Sequence, residues 1–463
     1  MTHLIGKFLP YLLLLYFLFR AVKKPIYLLG IPFLIFFQYS IFFDGVKIFN
    51  FPGSFGRDVV FLIWLGITWF AYSSRPLLQP GYFRQKFYVR NGINLIDAVV
   101  IGLLILSCLG LFVVYQEYTQ LKDVLKEFFT LTALFLGFFL LKNIICYTDP
   151  VSLKDFLFSI VLVNTLASVL YILDQGLHVT LYQVADDEYQ QEIFQGQVIT
   201  RVFWFMPVLW FFSISYLIVF RQGRLALSLA LIGINFIAIF VSYTRSFVAI
   251  VIVLVFLYNI LISLKGRSFN SLFKTSAAIT FAGAILVLGV LRFFPDKFEY
   301  FEERVISLKK DPSDEDANTM LIRFARTGEI FHKLADDKKI TGSGPVTEIQ
   351  FHGTEDINDT TADMVWTGVV FRWGYIGLGL FILLYLISAI KAFNLFMRNS
   401  GLLSQFGLLF FLVIVSQIME SFTSWTFMNP GHFALGLWYF GILSALTGFG
   451  RNYMLQLEKT SHD

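Results

Sequence analysis

Residues 93–115 read INLIDAVVIGLLILSCLGLFVVY, and Asp97 is the only charged side chain among them. As a helix rising about 1.5 Å per residue, the stretch is about 35 Å long, enough to cross the roughly 30 Å hydrocarbon core of a bilayer. A helix also bonds every backbone N–H and C=O internally, which lipid demands. The stretch is therefore expected to be a membrane helix, and the rest of the chain repeats it. Similar runs lie near 4–22, 26–43, 57–72, 125–147, 155–173, 202–220, 225–243, 246–264, 273–293, 365–390, 402–419 and 432–449. The expected fold is all-α: a polytopic integral membrane protein with about 13 (12–14) transmembrane helices.

Composition agrees. Of 463 residues, 57% are hydrophobic and 15% are charged, with mean hydropathy +0.69. Soluble domains run at about 45–50% apolar and about 25% charged. A soluble globule is therefore excluded, and so is a disordered chain, which needs low hydrophobicity and high net charge. The two cysteines, Cys108 and Cys146, both lie in apolar runs. That excludes a disulfide framework and a cysteine-ligated metal. The first apolar run has Lys7 near its start but no small-residue cleavage site after it, so it is expected to be a retained helix and not a signal peptide.

Lys and Arg set the orientation, because they favour the cytoplasmic side of short loops. With the N-terminus outside, the inner connections hold 18 of the 36 basic residues and the short outer ones 8. The other ten lie in or beside one long outer loop. The chain then divides into membrane helices over 1–293, a large extracytoplasmic loop over 294–363, and three further helices with a short cytoplasmic tail over 364–463. The loop carries two amphipathic helix patterns, Phe298, Phe301, Val305, Leu308 and Met320, Phe324, Phe331, Leu334. Helices lying flat on the membrane interface are the simpler explanation of both. A shorter outer loop, 174–200, is acidic.

The motifs of soluble enzymes are missing: no phosphate-binding Gly-rich loop, no H-E-x-x-H and no G-x-S-x-G. The six His show no metal-ligand spacing. No metal, cofactor or nucleic-acid partner is expected. Chemistry must come from a few charges that topology does not explain. Arg245, in Ser242-Tyr243-Thr244-Arg245-Ser246, lies between the eighth and ninth runs on the outer side, where orientation signals do not call for it. It either snorkels to the interface or grips an anion such as phosphate. Arg323 and Arg326 share a loop helix with Glu329 and Asp336, so alone they read as a solvated basic face. Thr341-Gly342-Ser343-Gly344-Pro345 alone reads as a tight turn. Asp363 precedes the eleventh run and suits a helix N-cap equally well, or a base facing an outer cavity. Arg372 lies nine residues further on, an offset that disfavours a direct pair with Asp363.

In order, spacing and side of the membrane, these elements resemble the O-antigen ligase and O-antigen polymerase superfamily of bacterial envelopes. Three features carry the resemblance: Thr244-Arg245-Ser246; the loop helix with Arg323 followed by Gly342-Ser343-Gly344; and Asp363-Met364, nine residues, then Gly374-Tyr375-Ile376-Gly377. The detailed match covers about residues 240–380. The family has His where this chain has Asp363. The resemblance implies a glycosyltransferase at the outer face of the bacterial inner membrane, with its active site on the periplasmic side. The donor would be a glycan on undecaprenyl diphosphate. The acceptor would be another glycan or lipid A-core, and other polysaccharide-assembly proteins are candidate partners besides the lipid bilayer. Arg245 and Arg323 would hold the diphosphate and stabilise its developing charge. Arg326, Gly342, Gly344, His352 and Arg372 complete the implied substrate-binding set. Asp363 would orient or deprotonate the acceptor, with His352 and Glu348 as the alternatives. The donor bond supplies the energy and the diphosphate is already a good leaving group, so neither nucleotide nor metal is implied.

The rival reading is a transporter or flippase of a lipid-linked glycan or small anion. The absence of an internal repeat and the long one-sided loop count against it. A scaffold of an envelope assembly would have no use for the outer arginines.

Overall fold

The computed structural model describes residues 2–41, 53–73, 93–117, 121–177, 191–194, 197–200, 206–220, 225–242, 244–266, 338–342, 344, 365–422 and 430–447. Helices dominate them: α1 (Thr2–Lys23), α2 (Gly30–Ile41) after a 3-10 turn Pro25–Leu29, α3 (Gly53–Ser73), α4 (Leu95–Glu117), α5 (Leu121–Cys146), α6 (Pro150–Leu177), α7 (Met206–Phe220), α8 (Leu225–Val241), α9 (Arg245–Gly266), the short α10 (Lys338–Thr341), α11 (Val365–Arg398), α12 (Gly401–Ser421) and α13 (Pro430–Thr447). One antiparallel hairpin, Gln191–Phe194 with Gln197–Thr200, departs from this pattern within the acidic segment 174–200. Twelve of the thirteen apolar runs coincide with α-helices. The run 273–293 and both amphipathic patterns lie outside the described residues. Six helices are long and apolar enough to cross a membrane: α4, α5, α6, α9, α11 and α12.

Large apolar side chains stay exposed on these helices, among them Phe112, Ile252, Phe256, Leu264 and Leu386. Water would disfavour that surface, and lipid matches it. Inside, α11 packs along α12 and α4, α5 packs on α3 and α13, and α6 packs on α7 and α8. Aromatic rings fill the seams, as where Trp438 of α13 meets Phe33 and Phe61, and Tyr439 stacks on Phe212.

Polar side chains then fix register. Asn235 of α8 donates to Thr165 Oγ1 at 2.8 Å and accepts from Asn164 at 3.0 Å and Ser168 at 3.1 Å, all three on α6. Trp210 of α7 closes the network on Ser168 at 2.8 Å. Such interhelical bonds contribute about 0.6 kcal/mol each on average.

Charged contacts join helix ends that the loop charges assign to one face. Lys24 pairs with Asp155 at 2.5 Å. Lys265 donates to the carbonyls of Phe396 at 2.6 Å and Asn399 at 2.7 Å, beside Ser404 of α12. Lys142 pairs with Asp97, which also accepts from Ser444 at 2.6 Å. At the opposite ends, Thr130 donates to Asp58 at 2.5 Å. Lys142, one of the 18 basic residues assigned to the inner connections, is instead a buried member of α5, held by the carboxylate of the residue that interrupts the run 93–115.

A second correction concerns the eleventh run, expected as one helix over 365–390. Its backbone leaves the helical region at Gly374, with φ 62° and ψ −165°. Trp366 and Tyr385 lie on either side of that break, yet their ring centroids are 6.4 Å apart. In a straight helix the 19-residue offset between them would correspond to about 28 Å. The chain therefore folds back at Gly374, and residues 365–373 form a short helix lying beside the long one.

Candidate functional site

The break at Gly374 belongs to the end of the bundle where α9 begins. The far end of α11 meets Lys265 at the end of α9, so the break and Arg245 lie at the opposite, shared end. Helix α9 packs on α12, and α12 packs on α11.

Three glycines of the sequence motifs meet here. Gly342 and Gly344 have φ of 78° and 85°, in the left-handed region where a side chain is strained. The Gly344 N–H donates to the Arg372 carbonyl at 3.1 Å. A Cβ on Gly342 would sit 2.5 Å from the Trp373 nitrogen and closer still to the Arg372 carbonyl. A Cβ on Gly374 would sit 2.6 Å from the Gly342 nitrogen and closer still to the Ile340 carbonyl. The Gly-x-Gly turn and the helix break are thus in backbone-to-backbone contact that only glycine permits. Trp373 anchors the junction to α4 by donating to Ser107 Oγ at 2.9 Å.

Arg372 sits in this junction and is only 9% exposed. Among the described residues its guanidinium has no hydrogen-bond or ion-pair partner. Its nitrogens are not among the fully buried side-chain atoms, so the guanidinium still reaches the surface and can receive an acceptor. Its planar donors suit a phosphate or carboxylate.

Arg245 opens α9 directly after the turn that ends α8. Phe247 N–H donates to the Thr244 carbonyl at 3.0 Å and Thr244 Oγ1 donates to the Ser242 carbonyl at 3.2 Å. A helix N-terminus carries partial positive charge and prefers acidic residues. A cation there opposes the helix dipole, so helix stability does not account for it.

Of the residues singled out in the sequence, the structure brings Gly342, Gly344 and Arg372 together, with Gly374. Arg323, Arg326, Glu348, His352 and Asp363 lie outside the described residues. Two buried polar residues of α12 escaped the sequence reading, Gln417 and Glu420, both 0% exposed. Glu420 lies just past the run 402–419. Its signal was the spacing of three from Gln417, which puts both on one helix face.

No protein-family model matches this sequence, and no curated protein matches it.

Proposed function

We propose that this chain is a membrane glycosyltransferase that moves a glycan from undecaprenyl diphosphate onto an acceptor hydroxyl at the outer face of the bacterial inner membrane, as a polymerase or ligase of surface polysaccharide. The single observation that carries the reading is Arg372: its stem largely buried, its guanidinium without an acceptor among the described residues, and its backbone seated on a glycine-lined break at the same end as Arg245. A guanidinium without an acceptor among the described residues, at the end of the bundle where α9 begins, is suited to a diphosphate. The Gly342 and Gly344 turn supports the reading by holding Arg372 through its carbonyl.

In this reaction the bond from the anomeric carbon to the diphosphate oxygen breaks, and a bond to the acceptor oxygen forms. The arginines, Arg245, Arg323 and Arg372, stabilise the charge gathering on the leaving diphosphate. The acceptor proton passes to a base, for which Asp363, His352 and Glu348 are the candidates. Direct attack inverts the anomeric centre.

A transporter of a lipid-linked glycan or small anion is the second reading, favoured by the buried Asp97–Lys142 pair, since transporters place charges inside their bundles. Replacing Arg245 or Arg372 with Ala and running the envelope glycan on a gel tests the proposal. Loss of long chains at normal protein level is expected. Long chains that persist in both variants contradict a role for either arginine on the diphosphate.

A further inference from the structure

At the Arg245 end of the bundle, α11, α12 and α13 enclose a polar cluster within an aromatic wall. Its centre is Glu420, fully buried, with the Tyr385 and Tyr439 hydroxyls within electrostatic range of its carboxylate. Gln417 lies one turn below on the same face, and neither of its amide atoms has a hydrogen-bond partner among the described residues. The Tyr439 hydroxyl and the Trp366 indole N–H are also buried without partners among them. The wall is built of rings: Trp366 lies 5.8 Å from Phe422 and 6.4 Å from Tyr385, and Tyr385 lies 5.3 Å from Phe440.

Each such orphaned group costs about 1–3 kcal/mol, so three at one end of the bundle, with Trp366 joined to the others through its ring contacts with Tyr385 and Phe422, need a reason. Their chemistry is mixed. The indole only donates; the phenol and the amide both donate and accept; a carboxylate accepts. A simple anion finds the carboxylate repulsive, and a simple cation finds an indole N–H facing it. A group that both donates and accepts, beside flat apolar surface, satisfies all of them. That is the chemistry of a sugar: hydroxyls around a ring whose C–H faces lie against aromatic side chains.

We propose that Glu420, Gln417, Tyr439 and Trp366 form a saccharide-hydroxyl site, which binds the acceptor sugar of the transfer reaction and is closed in this structure. The assignment of the sugar as acceptor rests on the glycosyltransferase reading above. The short helix 365–373 is the cover of this site. It holds Trp366 over the cluster, carries Arg372 toward its other end, and joins the long helix through the non-helical backbone of Gly374. Movement about Gly374 uncovers the hydroxyl site and displaces Arg372 together with it. Acceptor entry is thereby linked to the guanidinium proposed to hold the diphosphate.

The test uses the full chain in nanodiscs and a neutral trisaccharide bearing a photoreactive diazirine. After illumination, labelled peptides are located by mass spectrometry. Labelling is expected within 365–373, 417–422 or 430–447, and it should fall at least fivefold in Gln417→Leu and in Tyr439→Phe. Gln417→Leu removes an orphaned amide from apolar surroundings, so its melting temperature should be unchanged or raised, which separates lost binding from lost fold. Arg372→Gln should keep the label, because the link to Arg372 runs through backbone movement about Gly374 and the guanidinium itself holds no sugar hydroxyl. Retained labelling in a wild-type chain that transfers no glycan from a lipid-linked donor would sink the transfer reading and leave the saccharide site standing. Absent labelling, labelling elsewhere, or labelling unchanged in both cluster variants overturns the site and assigns the buried groups to water alone.

Discussion

Gly374→Ala should undock the Gly-x-Gly turn from α11. At φ 62° and ψ −165° any side chain is strained, by about 1–3 kcal/mol. The new Cβ would also lie 2.6 Å from the Gly342 nitrogen and press on the Ile340 carbonyl, both of them backbone and unable to swing away. Overpacking of this kind costs a further 1–3 kcal/mol or so. The junction therefore loses about 2–6 kcal/mol. At about 1.4 kcal/mol per tenfold, even the lower bound raises the undocked population roughly thirtyfold. The Gly344 N–H reports it directly, because its acceptor is the Arg372 carbonyl. Hydrogen exchange in the peptide covering 338–344 should accelerate at least thirtyfold in nanodiscs, with the helices α5 and α6 unchanged. Gly379→Ala is the internal control. That glycine lies on the same helix with nothing within 4 Å of an added methyl, so Ala there should be neutral or slightly stabilising. Exchange that is unchanged in Gly374→Ala would refute the claim that turn and break lock one another.

Lys142→Met should lower the melting temperature and the yield sharply, because it leaves the Asp97 carboxylate buried without its cation, at a cost of about 3–5 kcal/mol. Adding Asp97→Asn should recover most of that loss, and a double variant no better than the single would argue against the pair. Asn235→Leu removes bonds to Asn164, Ser168 and Thr165, so it should cost about 1–2 kcal/mol at about 0.6 kcal/mol per bond, read as a modest drop in thermal stability.

The helices were legible because lipid leaves a one-dimensional trace. A run such as 225–243 is apolar on every side, and α8 occupies 225–241 within it. The break in α11 was not legible. Gly374 stands in an apolar run of helix formers, and an isolated glycine there is tolerated by a straight helix as well as by a bent one. Only the arrival of Gly342 from the loop decides between them, and that contact joins residues far apart in sequence. Arg372 was picked out as an outer charge, but its burial follows from the same fold-back and could not be read from spacing. Glu420 and Gln417 were hidden differently. Polar residues near the end of an apolar run mark either a loop or a buried cluster, and composition does not distinguish the two. Lys142 shows the converse, a cation counted as a loop signal that the fold instead buries against Asp97.

The most direct test of the glycosyltransferase proposal is transfer by the purified full-length chain in nanodiscs, supplied with a lipid-linked repeat unit and no nucleotide. Higher-mass glycan should form and undecaprenyl diphosphate should be released, with both signals at least tenfold weaker in Arg372→Gln of unchanged melting temperature. A folded wild-type chain that leaves the lipid-linked substrate intact, with no diphosphate released, would contradict it.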